Sequence, residues 1–313
     1  MKIKVLDLAT YSSITPNPFT SFDSDVFCKL NRHKVDSIIP LVGINSKYRF
    51  GLIVGIRDNE MLAPFSAPFS CISNISSQNK AIDYADFIEE LINFSKDSKF
   101  KKIKLTLPPL FYDPAHIQWI INSLYTNGFS VSGADIAHYI CLDKYISFDE
   151  DYIRSLAIKG RQKITSSLKQ GLSFERGTDI SEAYQIIAEN RKHRGYPLLL
   201  KEEDLINTSN HIKIDCFIVK SLEGENIASA IVYHIKEGFV QVIYWGNLPG
   251  HNDKYSMNFM AFSMLKYYSN KGVSFFDLGP STDNSLPNFG LSDFKQSIGC
   301  LPSIKFSFKL DLK

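Results

Sequence analysis

The chain has 313 residues, enough for two domains with their own cores, and its 44% hydrophobic and 22% charged content is that of an ordinary globular protein. A net charge of +2 gives no global argument for nucleic acid or a membrane surface. Five scattered cysteines (Cys28, Cys71, Cys141, Cys216, Cys300) form no C-x-x-C and no Cys/His cluster with metal-ligand spacing. They argue for reduced core thiols and against a bound metal. No apolar run is long enough to span a bilayer, and residues 1–5 start a strand without an extended signal-peptide core. The cytoplasm is the expected compartment.

The first half alternates elements. Residues 19–30 predict a helix, with Phe22, Val26, Phe27 and Leu30 on one face. Residues 37–43 and 49–56 read as strands. Residues 80–95 predict an amphipathic helix, in which Ile82, Phe87, Ile88, Leu91 and Ile92 interleave with Asp83, Asp86, Glu89 and Glu90. Residues 102–107 alternate like a strand and end at Pro108-Pro109. Pro114 starts a helix that Asn127-Gly128 stops. Residues 129–143 supply a further strand or strand pair.

The second half has a similar rhythm. Residues 149–169 read as helical with an interruption near Gly160, and 172–176 as a short strand. A helix over 180–193 stops at Gly195. Residues 214–219 and 227–235 flank a turn at Glu223-Gly224-Glu225-Asn226, and 239–245 form the next strand. A helix over 256–269 and a strand over 273–278 follow. A short helix carries Phe294 and Lys295, and an alternating strand over 303–310 closes the chain.

Four segments carry candidate chemistry. Residues 154–169 hold Arg154, Lys159, Arg161, Lys163 and Lys169 with no acid between them, which suits either a solvated helix face or a site for phosphate. Arg161 can grip a carboxylate or phosphate with two prongs, and Lys169 adds a point charge. Residues 189–197 bring Arg191, Lys192, His193 and Arg194 to a helix end, where the dipole alone also favours them, and Tyr196-Pro197 opens a loop that can line a groove. Between 246 and 256 there is no G-x-G, and Asp253 is placed to cap the next helix. The last segment, 273–299, runs from a buried strand into a polar loop with Asp277, Ser281 and Asp283, then to Lys295 and Gly299. Polar loops at the carboxyl ends of apolar strands are where α/β folds place ligands.

The pieces Lys271-Gly272, Phe276-Asp277-Leu278-Gly279 and Phe294-Lys295 to Gly299 resemble the C-terminal signature of the Fem-type (FemAB-like) branch of the GNAT acyltransferases. The basic helix around Arg161 and the segment around Arg191 resemble two further Fem-type segments. The resemblance implies a mixed α/β (α+β) fold of two tandem GNAT-like domains, each a mostly antiparallel sheet flanked by helices. The expected division is 1–146 and 147–313, with the second as the catalytic half.

It also implies the activity: transfer of an acyl group from acetyl-CoA or another acyl-CoA to a small-molecule amine, of amino-sugar or cell-wall-precursor type. Within that frame Asp277 is the expected catalytic carboxylate, assisting the amine. Arg161, Lys169, Arg191, Tyr196, Ser281, Asp283 and Lys295 are the expected substrate contacts. Tyr244, Trp245 and Asn258 would line the donor slot, where GNAT enzymes bind pantetheine along a central strand and pyrophosphate at the next helix start. The missing glycine loop leaves two alternatives. One is a binding module without chemistry. The other is an aminoacyl transferase using tRNA, for which 154–169 is the only basic path and the usual helical-hairpin insertion has no room. Nothing points to DNA.

Overall fold

The computed structural model describes residues 1–177, 179–251 and 254–312. In chain order its elements begin β1 (Lys2–Val5), α1 (Leu8–Ile14), α2 (Asp25–Leu30), β2 (Ser37–Ile44), β3 (Tyr48–Arg57), β4 (Glu60–Ala63) and β5 (Ser73–Asn74). There follow α3 (Ala81–Asp97), β6 (Lys102–Thr106), α4 (Pro114–Thr126), β7 (Ser130–Cys141), α5 (Phe148–Ser155), α6 (Ile158–Ser167), β8 (Ser173–Gly177), α7 (Ile180–Arg194) and α8 (Glu202–Ser209). The rest are β9 (Ile214–Lys220), β10 (Asn226–Lys236), β11 (Phe239–Asn247), α9 (Ser256–Ser269), β12 (Phe275–Pro280), β13 (Thr282–Asp283), β14 (Leu286–Pro287), α10 (Phe289–Ser297) and β15 (Leu301–Asp311).

One compact unit comprises Met1–Ile136, Asn284–Leu286 and Ser303–Lys313, so the closing strand belongs with the first half of the chain. Its strands run β1-β2-β3-β4-β6-β15, with the early part of β7 beside β15. β4 and β6 are parallel, and the pairs β1–β2, β2–β3, β3–β4 and β6–β15 are antiparallel. The 3.6-residue spacing in α3 buries Phe87, Ile88 and Leu91 on one face. The expected helix over 19–30 is shorter. Ser24 is extended and its side chain accepts from Phe27 N–H, so a new helix, α2, starts there.

The other unit comprises Ala137–Asp283 and Pro287–Pro302. Here the end of β7 pairs antiparallel with β12, β12 lies parallel to β11, and β11-β10-β9-β8 continue antiparallel. Strand β10 is buried almost throughout because both its faces are covered. Ser229 bonds the Ala183 carbonyl of α7 on one side. Ala228, Ala230 and Val232 join Met260, Met264 and Leu265 of α9 in the core on the other. Successive strand residues point to opposite faces, so this split follows from the alternation alone.

Gly160 does not interrupt its helix. The break falls at Leu156 and Ala157, between α5 and α6, and Gly160 lies inside α6. A glycine there costs roughly 1 kcal/mol of helix propensity relative to alanine. It stays because a Cβ on Gly160 would sit 2.0 Å from the Ser297 carbonyl oxygen at the end of α10. Gly160→Ala is therefore expected to destabilise the protein by about 3 kcal/mol despite the better helix former. Denaturant unfolding checks this; a more stable variant would show that the contact can open freely.

Candidate functional site

The site is built in the second unit around the end of β11. Strands β11 and β12 pair only at Phe239↔Phe275, Val240↔Phe276 and Gln241↔Asp277. Beyond that point β11 runs on to Asn247 while paired only with β10, so its β12-facing edge has no strand partner from residue 242 onward. The strand carries a bulge opposite Ile231/Val232, which sharpens its turn away. A cavity of about 590 Å³ opens at this end, within the usual size for a small-ligand site.

Each wall has a sequence cause. Helix α7 ends at Gly195, whose φ of 69° is the left-handed stop, and the reversal returns the Tyr196 N–H to the Arg191 carbonyl. That places Arg191, Arg194 and Tyr196 on the cavity. Buried Asn190 locks α7 to β11 by donating Nδ2 to the Asn247 carbonyl (2.7 Å). The approach requires Gly246, where a Cβ would lie 2.6 Å from the Asn190 side chain. Trp245 stacks at a tilt on Phe294 of α10, with ring centroids 5.6 Å apart, and both line the cavity. Asn288 caps α10 by accepting from Leu291 N–H and also lines it.

The electrostatics have one sign. Lys163, Arg191 and Arg194 are the charged residues of the lining, and no Asp or Glu lies among the described residues there. The Arg191 guanidinium sits 5.0 Å from the Tyr244 ring centre and 5.9 Å from that of Tyr196. The start of α9 forms another wall through Tyr255, Ser256, Met257 and Asn258. Tyr255, at its N-cap position, makes no side-chain cap bond, and the first N–H groups of the helix present a partial positive charge. Asn258 is 5% exposed, and its Nδ2 has no hydrogen-bond partner. The expected cap Asp253 lies outside the described residues.

The expected residues divide into those at the cavity and those away from it. Arg191, Tyr196, Trp245 and Asn258 line it, and Tyr244 backs Arg191. Arg161 is turned elsewhere: its Nη2 donates to the carbonyls of Arg154 and Leu156 (3.1 Å each), closing the end of α5. Lys163, two residues on, reaches the cavity instead. Lys169 is exposed beyond α6, and Asp283 is exposed in β13; neither is in the lining.

Asp277, Ser281 and Lys295 are buried beneath the point where the strands part, not in the lining. Asp277 is 1% exposed; it accepts from Gln241 Nε2 and from Gly279 N–H, both at 2.7 Å. Lys295 donates to the carbonyls of Gly279 (2.9 Å) and Pro280 (2.8 Å), and burial pulls its amine down to about 8. Ser281 Oγ lies 3.0 Å from His138 Nδ1. Burial, then the nearby Lys295 charge, hold His138 at about 4, so it is neutral. Asp277 and Lys295 brace the end of β12, and Ser281 sits just beyond it. Reasoning from sequence missed Asn190, Arg194, Tyr255 and Asn288. The first two lay in a segment already singled out, whereas nothing in the residue pattern marked the others.

A second polar cluster sits at the opposite end of β10 and β11. The Asp215 carboxylate accepts from His234 Nε2 (2.6 Å), Tyr268 Oη (2.9 Å) and Arg176 Nε (2.8 Å). Burial alone would raise its pKa; the bonds from His234 and Tyr268, the His234 charge and the Arg176 bond outweigh it and bring it to about 2. A folded pKa below the unfolded one stabilises at higher pH, and that stability is lost as pH falls from about 4 to about 2. Asp215→Asn should therefore remove about 2 kcal/mol of acid sensitivity in that window. Unfolding curves at pH 5 and pH 2.5 check it; an unchanged acid limb would contradict it.

Among the described residues no helix is long and apolar enough to cross a membrane, and no group of three or more His, Cys, Asp or Glu is placed to hold a metal ion. No protein-family model and no curated protein matches the chain. Solved structures do match its fold. FemX superposes with a TM-score of 0.71 at 13% identity, over 100% of this chain and 98% of that one. L-PGS from Bacillus licheniformis gives 0.61 at 12%, over 96% and 91%. A tandem GNAT protein from the clavulanic acid biosynthesis pathway gives 0.53 at 9%, over 100% and 98%. The chain has a Fem-type fold of tandem GNAT-like, mixed α/β architecture.

Proposed function

We propose that the second unit is an acyltransferase domain whose cavity receives an acyl-CoA donor. The acyl group would pass to the amine of a small acceptor of amino-sugar or cell-wall-precursor type. The open edge of β11, ending at a helix start that the Tyr255 side chain does not cap, among three cations, carries this reading. An extended amide-bearing chain pairs with a free strand edge, and phosphate groups suit the α9 start. The fold shared with FemX and the tandem GNAT protein supports acyl or aminoacyl transfer as the reaction class. The latter is described in relation to acetyl-CoA, as the form without it.

In the reaction the amine nitrogen attacks the thioester carbonyl. The C–N bond forms, the C–S bond breaks, and the departing thiolate takes up the proton the nitrogen loses, leaving the amide and the coenzyme A thiol. Backbone N–H groups of the open β11 edge would hold the oxyanion. The amine must be neutral to attack, and the described lining contains no Asp, Glu or His to take its proton. With no base among the described lining residues, the acceptor would shed its proton to water, and the rate should climb with pH up to the acceptor's own pKa.

Arg191, Tyr196, Trp245 and Asn258 are assigned to ligand contact, with Tyr244 positioning Arg191. Asp277, Ser281 and Lys295 are assigned to bracing the end of β12, because burial keeps them from the cavity. Thiol release from acetyl-CoA, measured with and without glucosamine and a panel of other amines, tests the reading. Amine-dependent release is the expected result. Coenzyme A binding with no release for any amine would make the domain a binding module instead, a reading favoured by the described lining residues, which include no Asp, Glu or His.

A further inference from the structure

The cluster around Asp215 holds a group that acyl transfer leaves unused, the imidazole of His234. Asp215 is 2% exposed and ionised at neutral pH, so its oxygens only accept hydrogen bonds. The contact with His234 Nε2 (2.6 Å) therefore puts the proton of the neutral ring on Nε2 and leaves the lone pair on Nδ1. Arg176 grips Oδ1 of the carboxylate through Nε and Nη2 (2.8 and 2.7 Å), and Tyr268 Oη donates to Oδ2 (2.9 Å). Arg176 and Tyr268 thus hold the carboxylate, and the carboxylate holds the ring. Nδ1 has no hydrogen-bond partner among the described residues, and the His234 side chain is 22% exposed. It lies on a cavity of about 360 Å³ at the β10–β11 turn, together with Lys236, Glu237 and Phe239. An imidazole backed by a carboxylate, with its second nitrogen open, is the arrangement of a base or a nucleophile. No hydroxyl or thiol side chain is among the described lining residues, so the protein offers this base nothing to deprotonate and Nδ1 itself is the reacting atom.

We propose that His234 is a modification site, phosphorylated at Nδ1 by a small acyl phosphate. Nδ1 attacks phosphorus. The N–P bond forms, the P–O bond to the acyl group breaks, and the carboxylate leaves with the electron pair. No proton has to leave the ring, because the one it carries already sits on Nε2 against Asp215. The positive charge that the ring gains is neutralised by that same carboxylate. Lys236, two residues along the strand, brings a cation to the phosphoryl oxygens, while the Glu237 charge is exposed and screened by solvent. This site lies at the other end of β11 from the acyltransferase cavity and does not depend on the donor bound there.

The test is incubation of the whole protein with acetyl phosphate near neutral pH, followed by peptide mapping under the alkaline conditions that preserve phosphohistidine. The exposed His193 and His211 serve as internal standards. His234 should gain an acid-labile phosphoryl group about tenfold faster than either, and Asp215→Asn should cancel that advantage. His234→Gln, which keeps an N–H for Asp215, should lose the label from this peptide and leave His193 and His211 labelled as before. Labelling of His234 no faster than that of the standards would overturn the proposal. So would an acetyl group on His234 in place of the phosphoryl group, or an undiminished advantage in folded Asp215→Asn. Should Asp215→Asn fail to fold, the comparison of the three histidines in the wild type decides by itself.

Discussion

Asp277→Ala is expected to damage the fold before it damages any chemistry. The carboxylate joins Gln241 on β11 to Gly279 near the end of β12, at the last rung before the strands part. Alanine leaves at least two buried donors without that acceptor, each costing about 1–3 kcal/mol. We expect a loss of about 3 kcal/mol in denaturant unfolding, and Asp277→Asn should recover part of it because an amide oxygen still accepts. Asp277 was expected from the sequence to act on the acceptor amine, which would leave stability nearly untouched. A fully stable Asp277→Ala protein that has lost only turnover would restore that role and overturn the bracing one.

Arg191→Ala is expected to do the reverse, sparing the fold and weakening the ligand. Its guanidinium is held between two tyrosine rings and forms no ion pair among the described residues. Its charge is thus positioned but unspent, the arrangement that favours an incoming anion. Losing one charge-assisted contact should cost about 2 kcal/mol, or roughly thirtyfold in Kd for an acyl-CoA. Arg191→Lys should recover little, since an ammonium neither stacks on the rings nor offers a planar fork. Unfolding and titration on the same samples separate the two effects. Unchanged affinity in Arg191→Ala would remove Arg191 from the binding site.

Much of the second unit was legible because its signals are local. The run of apolar residues in β9 to β11, the turn at Gly224 and the helix over α9 each follow from period and punctuation. Helices α1 and α8 were missed because each is short and buries little: Tyr11 in one, Leu205 and Thr208 in the other. Gly160 misled because a helical glycine reads as a break, and its partner Ser297 is far along the chain. The site was half legible. The basic helix end at Arg191 and the aromatic strand end at Trp245 met in one cavity, whereas Asp277 and Lys295 looked equally chemical in sequence. Only burial separates a brace from a contact. The left-handed backbone of Tyr255 leaves no trace in residue types.

Isothermal titration calorimetry of acetyl-CoA into the wild-type protein tests the central claim most directly. Binding in the micromolar range, weakened in Arg191→Ala, is the result predicted for a donor site at the open edge of β11. No heat of binding at millimolar acetyl-CoA would contradict it and leave the cavity to a different anion.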